Sequence, residues 1–79
     1  MNIKILGSGC KKCLTLGENT KTAAETLGLD FDIEKITDAV AIAGFGVMST
    51  PGLVVDNKVV STGRVLSANE AIKILQAQS

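Results

Sequence analysis

Residues 2–17 read NIKILGSGCKKCLTLG, and this stretch decides the fold. Positions 2–6 alternate polar and apolar side chains, include two isoleucines, and end at Gly7. This pattern predicts a strand that runs into a glycine-rich turn. Directly after the turn come Cys10 and Cys13, the two cysteines of the chain. A cysteine pair at this junction could bind a metal, form a structural disulfide or carry out redox chemistry.

The segment after the turn has the spacing of a helix. Apolar or small side chains recur at three- and four-residue intervals between residues 11 and 27, and Gly28 is a plausible stop. Cys13 belongs to this apolar set. We therefore expect an amphipathic helix over 11–27 with Cys13 on its inner face.

The rest of the chain alternates between strand and helix signals. Residues 30–36 alternate again and predict a second strand, with its acids facing solvent, and a short helix is expected over 39–43. Two apolar runs, 53–55 and 59–60, flank an Asp-Asn pair and indicate a β-hairpin. A capping box at 67–70 begins a last helix.

The predicted order is βαβαββα, which belongs to the α/β class. A strand, a helix and a second strand place the first two strands parallel, whereas the hairpin adds an antiparallel pair. We expect a four-stranded mixed sheet flanked by helices. With 79 residues and 46% hydrophobic content, residues 1–79 are expected to form a single domain.

Composition and charge exclude several functions. Eight basic and eight acidic side chains balance, and the only aromatic residues are Phe31 and Phe45. A nucleic-acid partner is not expected, because it requires a basic surface with aromatic side chains for stacking. The opening residues lack the shape of a secretory signal, and no apolar run is long enough to span a membrane. These features predict a soluble, cytoplasmic monomer.

The cysteine spacing suits reversible oxidation. Thiols at positions i and i+3 at a helix start lie on nearly the same face and can close a disulfide. The unpaired N–H groups of the first turn, with adjacent Lys11 and Lys12, should lower the pKa of Cys10 and make it the nucleophile. Cys13, one turn further and facing the core, is expected to resolve the mixed disulfide. The two lysines are equally consistent with solvated surface charges.

Metal binding is the main alternative use of the pair. A closed zinc site needs about four ligands, and the chain has two cysteines and no histidine. No metal and no other cofactor is therefore expected beyond the redox-active Cys10–Cys13 disulfide. A Cu(I)-binding module remains open, because copper chaperones place the same spacing after their first strand. Those domains, however, follow the order βαββαβ and commonly carry methionine where this chain has Ser8.

Three stretches together resemble a known family: GSGCKKC, VMSTPGLVVDNKVVSTGRVLS and the last helix. They resemble the thioredoxin superfamily, and more closely the small redox-active disulfide proteins, which are glutaredoxin-sized thioredoxin-like domains of archaea and bacteria. The resemblance covers nearly the whole chain. It implies a thioredoxin-like fold and a protein-disulfide reductase.

The resemblance also implies roles for particular residues. Pro51 would be cis and face the disulfide, and Thr50 would offer backbone hydrogen bonds to an extended substrate. The partners would be proteins with disulfides and an upstream reductase of the thioredoxin-reductase type. The chain departs from ordinary thioredoxins at Gly9, where they carry Trp, and at Lys11-Lys12, where they carry Gly-Pro. These three positions are expected to tune the thiol and contact partners.

Overall fold

The structure, a computed structural model, describes residues 1–7 and 11–78. Within these residues no helix is both long and apolar enough to cross a membrane. The elements are β1 (Asn2–Leu6), α1 (Lys11–Thr26), β2 (Asp32–Ile36), α2 (Ala39–Gly44), β3 (Gly52–Val55), β4 (Lys58–Thr62) and α3 (Ala68–Gln78). The predicted order βαβαββα is confirmed.

The four strands form one mixed sheet in the order β2-β1-β3-β4. β1 pairs with β2 in parallel and with β3 antiparallel, and β3 and β4 form the hairpin. The predicted start of the second strand at residue 30 is wrong, because β2 begins at Asp32. The Asp32 N–H donates to the Met1 carbonyl (2.9 Å). Before it, the Asp30 carbonyl accepts from the N-terminal amine (2.8 Å), which is not a ladder hydrogen bond.

Apolar side chains fill both faces of the sheet. On one face, α1 and α3 pack against the inner strands, and the buried residues there are Ile3, Ile5, Leu16, Ala23, Ala24, Leu53, Val55, Leu66, Ala71 and Leu75. On the other face, Ile42 of the short helix α2 and Val47 after it pack against Leu6 and Val54 of the sheet. Because neighbouring strand residues point to opposite faces, Ile5 and Leu6 serve different layers. The sheet is therefore sandwiched between helices.

Helix α1 is anchored along the face that its spacing predicts. Cys13, Leu16 and Thr20 are buried, and the Thr20 hydroxyl donates to the Leu16 carbonyl at 2.8 Å. At its end, the Gly28 N–H bonds the Glu25 carbonyl (3.0 Å) while Gly28 adopts φ +68°. This left-handed residue ends the helix, as the sequence predicts.

The hairpin and α3 are fixed by local hydrogen bonds. Asp56 and Asn57 both have positive φ (50° and 67°), which suits a two-residue hairpin turn. Ser67 and Glu70 form the predicted capping box, with the Glu70 N–H on Ser67 Oγ and the Ser67 N–H on Glu70 Oε1, both at 3.2 Å. These contacts set the direction in which the chain enters its last helix.

Candidate functional site

The predicted cysteine pair lies only partly within the described residues. Gly9 and Cys10 fall outside them. Lys11 and Lys12 are exposed at the start of α1, and Cys13 follows with 5% of its surface accessible. The prediction that Cys13 faces the core is confirmed.

Cys13 lies against the backbone of Gly7, the residue directly after β1. A Cβ built on Gly7 would overlap the Cys13 Sγ and would lie 3.3 Å from the Cys13 Cβ. The Gly7 N–H donates to the Ile36 carbonyl at 2.9 Å, so this backbone is held by the neighbouring strand β2. The thiol therefore rests on a glycine that is fixed to the sheet.

The loop before β3 also lies close to Gly7. The Thr50–Pro51 peptide bond is cis, Thr50 is exposed and Pro51 is buried. The Thr50 Cβ lies 3.8 Å from the position that a Gly7 Cβ would occupy. Gly7, Cys13 and Thr50 are thus brought together although they are distant in sequence.

A second glycine supports the proline loop from β4. The Gly63 N–H donates to the Pro51 carbonyl at 2.9 Å, and Gly63 has φ +69°. A Cβ on Gly63 would lie 3.2 Å from the Ser49 Cβ. The close approach and the positive φ both favour glycine here, so this residue keeps the loop against the end of the hairpin.

Two exposed apolar side chains flank these residues in sequence. Met48, just before the loop, is 93% exposed, and Leu14, next to Cys13, is 45% exposed. Single apolar side chains on a protein surface are ordinary, so this exposure alone assigns no function. Met48 lies in one of the stretches that resemble the family, but no role is predicted for it from the sequence.

The contact between Gly7 and Cys13 is not predicted from the sequence, in which Gly7 is only part of a predicted turn. A glycine at a strand end has many uses, and its sequence carries no sign of which side chain lies over it. The one available signal was its place three residues before Cys10, at the junction of β1 and α1.

A pocket of about 380 Å³ lies apart from the thiol, between the outer side of α1 and the edge strand β2. Its lining combines small or apolar residues with charged ones: Leu14, Gly17, Phe31 and Ile33, and Glu18, Lys21 and Lys35. Neither Cys13 nor Pro51 lines it. The pocket shares only the start of α1 with the thiol site.

Among residues 1–7 and 11–78, no group of three or more histidine, cysteine, aspartate or glutamate side chains could hold a metal ion. The element order also ends in α3, whereas the copper-chaperone pattern ends in a strand. This element order does not favour the copper-binding alternative.

A mixed sheet of this order, flanked by helices, with a cysteine at the start of α1 near a cis-proline loop, is a thioredoxin-like architecture. Comparison with known proteins agrees with it. A family model described as a thioredoxin domain matches residues 1–76. A thioredoxin of Methanothermobacter thermautotrophicus is 41% identical over 75 residues, which cover 95% of this chain and 97% of that protein. A thioredoxin of Methanocaldococcus jannaschii is 44% identical over 68 residues, which cover 86% of this chain and 78% of that protein.

The chain therefore belongs to the thioredoxin domain family. This membership supports a thioredoxin-like redox function within the class of thiol-disulfide oxidoreductases. The expected family and fold class are thereby confirmed.

Proposed function

We propose that the protein is a protein-disulfide reductase that uses Cys10 as the nucleophile and Cys13 as the resolving thiol. The Cys10 thiolate attacks one sulfur of a partner disulfide, and the other partner sulfur leaves as a thiolate. Cys13, deprotonated, then attacks the Cys10 sulfur of the mixed disulfide, closes the Cys10–Cys13 bond and releases the second partner thiolate. The partner gains two electrons and, with protons from water, becomes a dithiol.

The observation that carries the proposal is the buried thiol of Cys13 at the start of α1. It lies over Gly7 and beside the loop that holds Thr50 and Pro51. A resolving thiol should be shielded from bulk reagents yet close to the docked partner, and the burial of Cys13 near the proposed docking loop supports that role. Family membership supports the same chemistry.

The same arrangement suggests how a partner docks. Thr50 is exposed beside the buried Pro51, so its backbone can pair with an extended segment of the partner. Met48 extends into solvent just before them and would offer an apolar contact. Lys11 and Lys12, also exposed, would favour the thiolate of Cys10 and attract acidic segments, an effect that salt weakens.

The partners that we propose are proteins with accessible disulfides and an upstream reductase of the thioredoxin-reductase type. That reductase would return two electrons to the Cys10–Cys13 disulfide after each turnover. The reducing cytoplasm is the setting we propose, with residues 1–79 acting as one monomeric domain and with no cofactor beyond the cysteine pair.

The experiment is a trap with the Cys13→Ser variant. This variant should form a covalent complex through Cys10 with a disulfide protein such as insulin, and the complex should persist because no second thiol releases it. A non-reducing gel and mass spectrometry of the linked peptides identify the bond. The wild-type protein should reduce insulin in the presence of dithiothreitol without accumulating the complex.

The matched control is Cys10→Ser, which keeps the buried Cys13 and should form no complex. If Cys13→Ser traps nothing and the wild type reduces no insulin, the proposal is wrong. Retention of Cu(I) against a competing chelator by that same inactive wild type would favour the copper-binding module instead.

A further inference from the structure

The packing of Cys13 on Gly7 leaves no room for a side chain at position 7. A Cβ there would approach the Cys13 Sγ more closely than 3.0 Å, a separation that real Cβ atoms essentially never show. The Thr50 Cβ, at 3.8 Å, would be in ordinary van der Waals contact. A side chain at position 7 would therefore displace the thiol and leave the proline loop in place.

Both partners of this contact are held by the core. Gly7 follows Leu6, which is fully buried and pairs with Gly52 of β3, and its own N–H bonds β2. Cys13 lies on α1, whose buried Leu16 locks the helix to the same sheet. Because neither backbone can retreat easily, the atom that must move is the Cys13 Sγ.

We infer that Gly7 is a positioning residue for the resolving thiol: its bare Cα sets the depth at which the Cys13 Sγ rests. The inference rests on the proposed function and adds a specific role to it. In the resolving step the Cys13 sulfur must reach the Cys10 sulfur in line with the bond that breaks. A displacement on the order of 1 Å can slow such a step by about 10²-fold. The first attack, made by Cys10, does not use this contact.

The test separates the two steps with the small disulfide 5,5′-dithiobis(2-nitrobenzoate). Attack by Cys10 releases one thionitrobenzoate, and resolution by Cys13 releases a second one from the same protein molecule. Stopped-flow absorbance follows both releases, and Cys13→Ser shows which phase is the first. Gly7→Ala should release the first equivalent at the wild-type rate and the second about 10²-fold more slowly.

The matched control is Gly44→Ala. A Cβ on Gly44 meets nothing within 4 Å, so both phases should keep their wild-type rates. If Gly7→Ala also releases both equivalents at wild-type rates, or slows both phases equally, Gly7 has no positioning role. A wild type that releases both equivalents but reduces no insulin would contradict the proposed reductase and leave the role of Gly7 standing.

A double-mutant cycle covers the case in which Gly7→Ala does not fold. In a Cys13→Ala background the overlapping sulfur is gone, so the urea midpoint should fall much less on adding Gly7→Ala than it does in the wild type. An equal fall in both backgrounds, or loss of folding in both, would show that the alanine is rejected for a reason other than the thiol.

Discussion

Replacing Gly17 with alanine should stabilise the protein, although this glycine is buried. It lies inside α1, where glycine is less favourable than alanine by about 1 kcal/mol. A Cβ built there would contact only the Ile5 Cγ1, at 3.8 Å, which is an ordinary packing distance. Burial of one methyl group adds about 0.8 kcal/mol. The free energy of unfolding should therefore rise by about 1–2 kcal/mol.

Thermal and urea unfolding followed by far-UV circular dichroism measure this gain. The melting temperature should rise by roughly 4–16 °C for a chain of this size. The slope with which the free energy of unfolding falls with urea concentration should stay unchanged. The same change at Gly52, also buried, is the comparison, because its Cβ would lie 3.2 Å from the Val47 Cγ1. Gly52→Ala should be less favourable than Gly17→Ala, because the buried Val47 side chain has to move to admit the methyl group. An effect at Gly17 no more favourable than that at Gly52 would refute the reasoning from available space.

Three further changes test other parts of the molecule. Leu66→Ala should cost about 2–5 kcal/mol in urea unfolding, since Leu66 is 1% exposed in the core between sheet and helices. The backbone N–H of Ser67, and after it the charge of Arg64, hold the pKa of the Glu70 carboxyl below its ordinary 4.5. A carboxyl whose pKa is lowered on folding stabilises the protein fully above its ordinary pKa of 4.5, and this stabilisation is lost as pH falls through the folded-state pKa. Glu70→Gln should therefore be less stable than the wild type at about pH 7, and the difference should shrink as the pH falls below 4.5. Changing Lys11 and Lys12 to glutamine should slow alkylation of Cys10 by iodoacetamide by up to about fivefold, and by less in high salt, because exposed charges contribute about 0.2–1 kcal/mol.

The elements of this fold could be predicted because their signals are local. The alternation over β1 and the three- and four-residue spacing of α1 each report on one segment and its buried face. Ser67 and Glu70 mark the start of α3 in the same way, and their reciprocal hydrogen bonds are present. Segment ends were less well predicted, as at β2, because the pairing partner, here Met1, decides where a ladder begins.

The site could be predicted only in part, since it depends on contacts between distant segments. Cys13 was identified correctly as inward-facing from its helical position. Two contacts depend on how β1, β3 and β4 lie side by side. The Cys13 sulfur packs against Gly7, and the Gly63 N–H donates to the Pro51 carbonyl. Glycine has no side chain to give a hydrophobic or charge pattern, so the position of Gly7 before the cysteines is the one mark that these contacts leave in the sequence.

β2, the outermost strand of the sheet, affects how readily the protein aggregates at high concentration. One side of β2 pairs with β1 and the other is an open edge, along which Asp32, Glu34 and Lys35 are exposed. A second chain adding its strand there would have to strip these charged side chains of part of their water. We therefore expect concentrated samples to resist edge-to-edge aggregation, whichever redox state the cysteines are in.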